Sequence, residues 1–142
     1  MKKVLLLHGP NLNLLGVREP GVYGTQTLAD LEAMVVAYGR ENGVDITCFQ
    51  SNHEGVLVDT LHDARLNYDG VIFNPGALTH YSYSLRDAIS SISTPVVEVH
   101  ISDIKNREPF RAVSVTAEVC VGQVFGKGLA GYREALDVLL SL

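Results

Sequence analysis

Cysteine is scarce in this chain: Cys48 and Cys120 are the only two, and no short spacing joins them. That argues against a disulfide framework or a Cys-based zinc site. Both lie in apolar stretches, which predicts buried thiols and a reducing, cytoplasmic setting. Basic charge is short as well. Sixteen acidic residues against eleven basic ones give a formal net charge of −5. A nucleic-acid binder usually presents a basic face, so that class is disfavoured. A local arginine cluster could still hold a small anion. Lysine is confined to Lys2, Lys3, Lys105 and Lys127, none on an expected core strand. A buried Schiff-base lysine is therefore not expected. Long apolar runs are missing too. The stretch from Val4 to Leu7 is too short for a signal-peptide core or a membrane span.

Motifs are absent in an equally informative way. No Walker or G-x-G-x-x-G phosphate loop is present. No G-x-S-x-G elbow marks a serine hydrolase. No His/Cys/Asp cluster has metal-ligand spacing. A receiver domain would need acidic groups where this chain has His8 to Asn11 and Asn74.

What is there is an alternation of short apolar runs and helical patterns over 142 residues, a length for one domain. Strands are expected at Val4–Leu7, Val44–Phe49, Val71–Phe73 and Val96–Val99, with a fifth inside Val113–Phe125. Thr27 and Asp30 form a capping-box pair ahead of the stripe Leu28, Leu31, Val35 and Val36, and Gly43 closes that helix. Further helices are expected over Val56–Asn67, Thr79–Ile92 and from Leu129 to Leu140, with a polar loop at Asp103–Arg111. Continuously apolar strands indicate a parallel sheet covered on both faces. The expected fold is α/β: a flavodoxin-like, doubly wound, five-stranded parallel sheet with helices on both faces. Ligands of such sheets bind beyond the carboxyl ends of the strands.

Polar residues collect at those ends. They include His8–Asn11, Arg18 and Tyr23 after strand one, and Gln50–Glu54 after strand two. Asn74–Ala77 and His80 follow strand three, and His100–Asp103 follow strand four. Acid–base chemistry by Tyr, His and Arg is what remains. Tyr23 follows Arg18 by five residues, and a guanidinium favours a phenolate. Taken alone, that pair reads first as a loop tyrosine and a solvated charge. Glu98 and His100 share one side of a strand by period-two alternation, so the carboxylate could orient the imidazole as an acid. A histidine that merely caps the strand end fits as well. Arg107 and Arg111, four apart, would suit a carboxylate if the segment turns helically, and a solvated loop otherwise. Backbone N–H groups of Asn74–Ala77 could meet a ligand or simply form a turn. His80 and Asp87 could reach the same edge or cap and solvate a helix.

The stretch Leu7-His8-Gly9-Pro10-Asn11-Leu12-Asn13-Leu14-Leu15-Gly16-Val17-Arg18-Glu19-Pro20, with Tyr23-Gly24, closely resembles the signature of the type II 3-dehydroquinate dehydratases. Gln50–Gly55, Asn74–Ala77 with His80–Ser82, and Glu98–Ser102 with Arg107–Arg111 resemble the same family, in order and nearly end to end. The resemblance implies dehydration of 3-dehydroquinate to 3-dehydroshikimate through an enolate, without metal or cofactor. Tyr23 then matches the general base and Arg18 the arginine that keeps it ionised. Asn11 matches the residue that positions a water on the enolate oxygen. His100 matches the general acid, and Glu98 its orienting partner. Asn74, His80, Asp87, Ile101, Ser102 and Arg111 match substrate-binding positions, and Arg107 has no assigned role. The family commonly assembles as a dodecamer, a tetramer of trimers. Asp103 replaces a frequent asparagine and is expected to point away from the ligand. A hydrolase on the same fold, or a binding module without turnover, would be the rival readings.

Overall fold

The computed structural model describes residues 1–142 apart from the side chain of Tyr23. Five strands run β1 (Lys3–His8), β2 (Asp45–Gln50), β3 (Gly70–Asn74), β4 (Val96–Val99) and β5 (Gly122–Val124). The helices are α1 (Pro20–Tyr23), α2 (Leu28–Glu41), α3 (Glu54–Asn67), α4 (Tyr83–Ser91) and α5 (Ala130–Leu140). All strand pairs are parallel, in the order β2-β1-β3-β4-β5. This is the expected flavodoxin-like order, with its switch point at β1 and β3.

The pleat of β1 divides the core. Val4 and Leu6 pack with Leu31 and Val35 of α2 and with Tyr132, Leu136 and Leu139 of α5. Leu5 and Leu7 face the opposite way, onto Leu57 and Leu61 of α3 and Leu85 and Ile89 of α4. Alternate residues of a strand must point to opposite faces, so a strand covered by helices on both sides has to be apolar throughout. Each fully buried Leu or Val contributes roughly 1.5–3 kcal/mol by leaving water.

The capping box is present: Asp30 N–H donates to Thr27 Oγ1 at 3.2 Å and Thr27 N–H to Asp30 Oδ2 at 3.0 Å. Gly43, at φ +72°, follows the end of α2. One helix boundary changes. The helix expected from Thr79 begins only at Tyr83, because Gly76–His80 forms a 3-10 turn and the Ser82 hydroxyl caps α4 through Leu85 N–H at 3.0 Å. The stretch Val113–Phe125 holds the fifth strand as expected, in its residues Gly122–Val124. Most of the rest is turn and loop, whose backbone and hydroxyls serve other partners. The thiols of Cys48 and Cys120 are unpaired and half-buried rather than fully buried. No helix among the described residues is long and apolar enough to cross a membrane.

Candidate active site

Parallel register brings His8, Gln50 and Asn74 side by side at the carboxyl end of the sheet. The loop after β1 and the turn after β3 are pressed together there. Gly9 N–H donates to the Asn74 carbonyl at 2.7 Å. A Cβ on Gly9 would stand 2.6 Å from the Pro75 carbonyl carbon, closer than atoms can approach. Gly76 takes φ +62°, a region that favours glycine. Gly9→Ala is therefore expected to force the two loops apart, lowering kcat/KM by about tenfold or more, since a 1 Å misplacement can cost more than that. Steady-state kinetics on the folded variant check it, and wild-type kinetics would show that the loops tolerate separation.

Asn11 also lies in the left-handed region, at φ +70°. Asparagine tolerates that conformation better than most residues. The Asn52 side chain secures it, with Oδ1 accepting from Asn11 N–H at 2.9 Å. Gln50 Nε2 donates to Asn52 Oδ1 at 3.0 Å and to the Gly9 carbonyl at 3.2 Å, bracing both loops.

These loops wall a cavity of about 150 Å³ lined by Asn11, Arg18, Asn74, His80, His100, Ile101, Ser102, Arg107 and Arg111, among others. Three guanidinium groups thus face one pocket in a chain of net charge −5. Such focusing favours an anionic ligand. Arg18 and Arg107 each meet Glu19, at 3.5 and 3.8 Å, and Arg107 Nη1 donates to Ser102 Oγ at 3.3 Å. Arg111 Nε donates to Glu108 at 2.9 Å, and its guanidinium stacks on the Phe110 ring, 4.7 Å from the centroid. Pro109–Ala112 is a 3-10 turn, and both Arg107 and Arg111 reach the cavity. The carbonyls of Ile101 and Ser102 accept from Gly128 and Gly126 N–H at 3.1 and 3.0 Å, anchoring that segment from the β5–α5 turn.

His100 and Glu98 do share one side of β4. His100 Nε2 lies 2.9 Å from Glu98 Oε2, and both residues are buried. The carboxylate sits in a polar nest. Thr79, Thr116 and Ser114 hydroxyls donate to it from one side, and Gln123 Nε2 donates to Oε2 at 2.9 Å. Burial pushes the Glu98 carboxyl up. The bond to His100, its charge, and the bonds from Thr116 and Gln123 outweigh this and hold it at about 2. An ionised Glu98 accepts from Nε2–H, which leaves Nδ1 as the ring nitrogen to serve the pocket. His80 Nδ1 is 2.7 Å from the Val113 carbonyl, and burial lowers its pKa.

A family model described as "Dehydroquinase class II" matches residues 2–140. The 3-dehydroquinate dehydratase of Anoxybacillus flavithermus is 58% identical over 142 residues, covering 100% of this chain and 96% of that one. The enzyme of the same name from Bacillus cereus strain AH187 is 60% identical over 140 residues, covering 99% and 96%. The chain belongs to the class II dehydroquinase family. The crystal structure of the type II dehydroquinase from Butyrivibrio crossotus superimposes with a TM-score of 0.96 at 47% identity, covering 98% of this chain and 97% of that one.

Within this dehydroquinase, the cavity gathers Asn11, Arg18, Asn74, His80, His100, Ile101, Ser102 and Arg111, with Glu98 directly behind His100. Arg107 joins them. Tyr23 ends α1, and its side chain lies outside those described. Asp87 stands apart on the exposed face of α4, where its carbonyl accepts from Ser91 Oγ at 2.6 Å. Asp103 does not line this cavity; its side chain accepts from Lys105 N–H at 3.1 Å. Sequence reasoning placed Gln50 and Asn52 at the strand end without their bracing role, and it missed the nest of Thr79, Ser114, Thr116 and Gln123. For Ser114 and Thr116 the signal was two hydroxyl residues set in an apolar stretch. Among the described residues no group of three or more His, Cys, Asp or Glu could hold a metal ion.

Proposed function

We propose that this dehydroquinase dehydrates 3-dehydroquinate to 3-dehydroshikimate through an enolate, with Tyr23 as general base and His100 as general acid. The observation that carries the reading is the buried His100–Glu98 pair opening onto the same cavity as Asn11, Arg18 and Arg111. Tyr23, as phenolate, removes a proton from the carbon beside the ketone, and the electron pair moves to the ketone oxygen. Asn11 positions a water on that developing oxyanion, the kind of stabilisation that dominates many enzymes. The enolate then re-forms its carbonyl and expels the hydroxyl, which takes a proton from His100 and leaves as water. Proton return from Tyr23 to His100 resets the site. The cationic lining suits the substrate carboxylate, with Arg111 and the Ile101–Ser102 backbone as its expected contacts. Asn74, at the end of β3, and His80, in the 3-10 turn after it, supply polar contacts. The Tyr23 phenol and the His100 imidazole account for every proton moved, so no metal or cofactor is invoked.

We also propose a homododecamer, a tetramer of trimers. Tyr81, Tyr83, Phe110 and Val113 are large apolar side chains left exposed, of the kind that assembly covers. Asp87, outside its own chain's cavity, could meet the substrate only if α4 of one copy approaches another's pocket. Light scattering tests this: a mass of twelve 15.4 kDa chains is expected, and a single-chain mass would overturn it. The two unpaired thiols accord with a cytoplasmic location.

The test of function is ultraviolet absorbance on mixing protein with 3-dehydroquinate and a chelator. Dehydration places a double bond in conjugation with the ketone, so absorbance rises. The rise should survive borohydride treatment of the enzyme, as no imine forms. A folded protein that binds the acid without any rise would overturn the catalytic reading.

A further inference from the structure

Tyr132 stands first by volume among the fully buried side chains of the described residues. It projects from α5 into the apolar layer built by Val97, Val99, Leu136 and Leu139. Phenylalanine would fill that space as well, so the hydroxyl needs its own reason. A buried phenol normally finds a polar partner. Here the partner is Asn74, whose Nδ2 lies 3.0 Å from the Tyr132 hydroxyl, 58 residues away in sequence.

The two ends of the Asn74 amide can be told apart. Gly76 N–H, which can only donate, meets one end at 3.0 Å, so that end is Oδ1. The other end is Nδ2, and Tyr132 accepts one of its two hydrogens. Gly76 and Tyr132 together fix the plane and the direction of the amide. The second Nδ2 hydrogen belongs to a side chain that is almost wholly buried yet lines the cavity. The Tyr132 ring cannot turn away: it is enclosed by core residues, with the His8 ring tilted 52° against it at 6.5 Å.

We propose that Tyr132 is a positioning residue for substrate binding, holding the Asn74 amide so that its second N–H points at an acceptor oxygen of the substrate. This rests on the reading of Asn74 as a substrate contact. Without the phenol oxygen, Gly76 N–H still holds Oδ1, but the Nδ2 end loses its acceptor and the direction of the second N–H is no longer fixed. Part of the population then offers the ligand the wrong geometry, or none.

The test is a double-mutant cycle of Tyr132→Phe and Asn74→Ala. Tyr132→Phe is expected to raise KM for 3-dehydroquinate about tenfold with a smaller change in kcat, the scale of one net buried hydrogen bond. In the Asn74→Ala background the same substitution should move KM by less than about twofold, because there is no amide left to orient. An equal effect in both backgrounds, or a lowered Tm with unchanged KM, would overturn the proposal, since a purely structural tyrosine acts regardless of Asn74. Wild-type turnover is measured separately, so failure of the proposed reaction and failure of this inference remain distinct. Should Tyr132→Phe not fold, the Nδ2 protons of Asn74 give a second readout by NMR in the Tyr23→Phe variant. Adding 3-dehydroquinate should shift the proton facing the cavity much more than the one bonded to Tyr132. Two unmoved protons would overturn the proposal.

Discussion

Tyr23→Phe is expected to lower kcat at neutral pH by about a thousandfold, within the range a general base contributes, while 3-dehydroquinate still binds. The ring is kept and only the oxygen is lost. An ordinary tyrosine has a pKa of about 10 and is a poor base at neutral pH. Bringing it near 7 requires about three units, or roughly 4 kcal/mol of preference for the phenolate. Guanidinium groups in a water-poor pocket supply that kind of preference. Arg18 and Arg107 line the cavity with side chains only 27% and 15% exposed. Glu19 works against them, because its carboxylate meets both guanidinium groups. Steady-state kinetics beside equilibrium binding decide the matter. Persistent turnover would assign the base elsewhere, and lost binding would make Tyr23 a substrate contact instead.

The second large effect concerns Glu98→Gln. The replacement amide can keep its oxygen toward His100 and Gln123 and turn its NH2 toward Thr79, Ser114 and Thr116. Those hydroxyls can rotate to accept, so the shape of the nest survives. The charge does not. An imidazolium at His100 then lacks its counter-ion in a buried site, and kcat is expected to fall by about a hundredfold. Stability should fall by about 2–4 kcal/mol, the cost of uncharging a site built for a carboxylate.

The same substitution has a pH signature. The ordinary Glu pKa of 4.5 falls to about 2 in the folded chain. A depressed carboxylate pKa gives stability that is present above the unfolded value and lost as pH falls toward the folded one. Glu98 thus contributes about 3 kcal/mol, lost between about pH 4.5 and 2. His8 acts at higher pH. Burial lowers it from 6.5 to about 4, so the ring is neutral at neutral pH and its 3.2 Å contact with Glu32 is a hydrogen bond rather than an ion pair. The unfolded chain takes up that proton first, and stability falls from about pH 6.5 toward 4. Denaturation measured against pH should therefore decline in two stages for the wild type. Glu98→Gln should retain the upper stage and shrink the lower, to which the depressed carboxyls of Asp69 and Glu108 also contribute. An unchanged lower stage would mean that Glu98 is not a group titrating there.

The strands of the core and the capping box of α2 were readable because their causes are local. Val4–Leu7 is apolar at every position, as a strand covered on both faces must be. Thr27 and Asp30 are three residues apart, the separation their reciprocal bonds require. The shared side of Glu98 and His100 follows from the two-residue pleat alone. The onset of α4 was misplaced because Thr79 and His80 have other work: Thr79 bonds Glu98 and His80 bonds the Val113 carbonyl, so the backbone turns before Ser82 starts the helix. The stretch Val113–Phe125 reads as holding a strand because its residues are mostly β-branched or apolar, and β5 takes only Gly122–Val124 of it. In the fold, Ser114 and Thr116 are instead hydroxyl donors to Glu98.

By itself the sequence determined which residues are apolar, which turns can form, and that the polar groups lie at the carboxyl ends of parallel strands. Tertiary structure alone decided which of those groups meet. Ser114 reaches Thr79 across 35 positions and Tyr132 reaches Asn74 across 58. Periodicity carries no information over such distances. They are set by the strand order, which brings β1 between β2 and β3, and by the packing of α5 across the sheet.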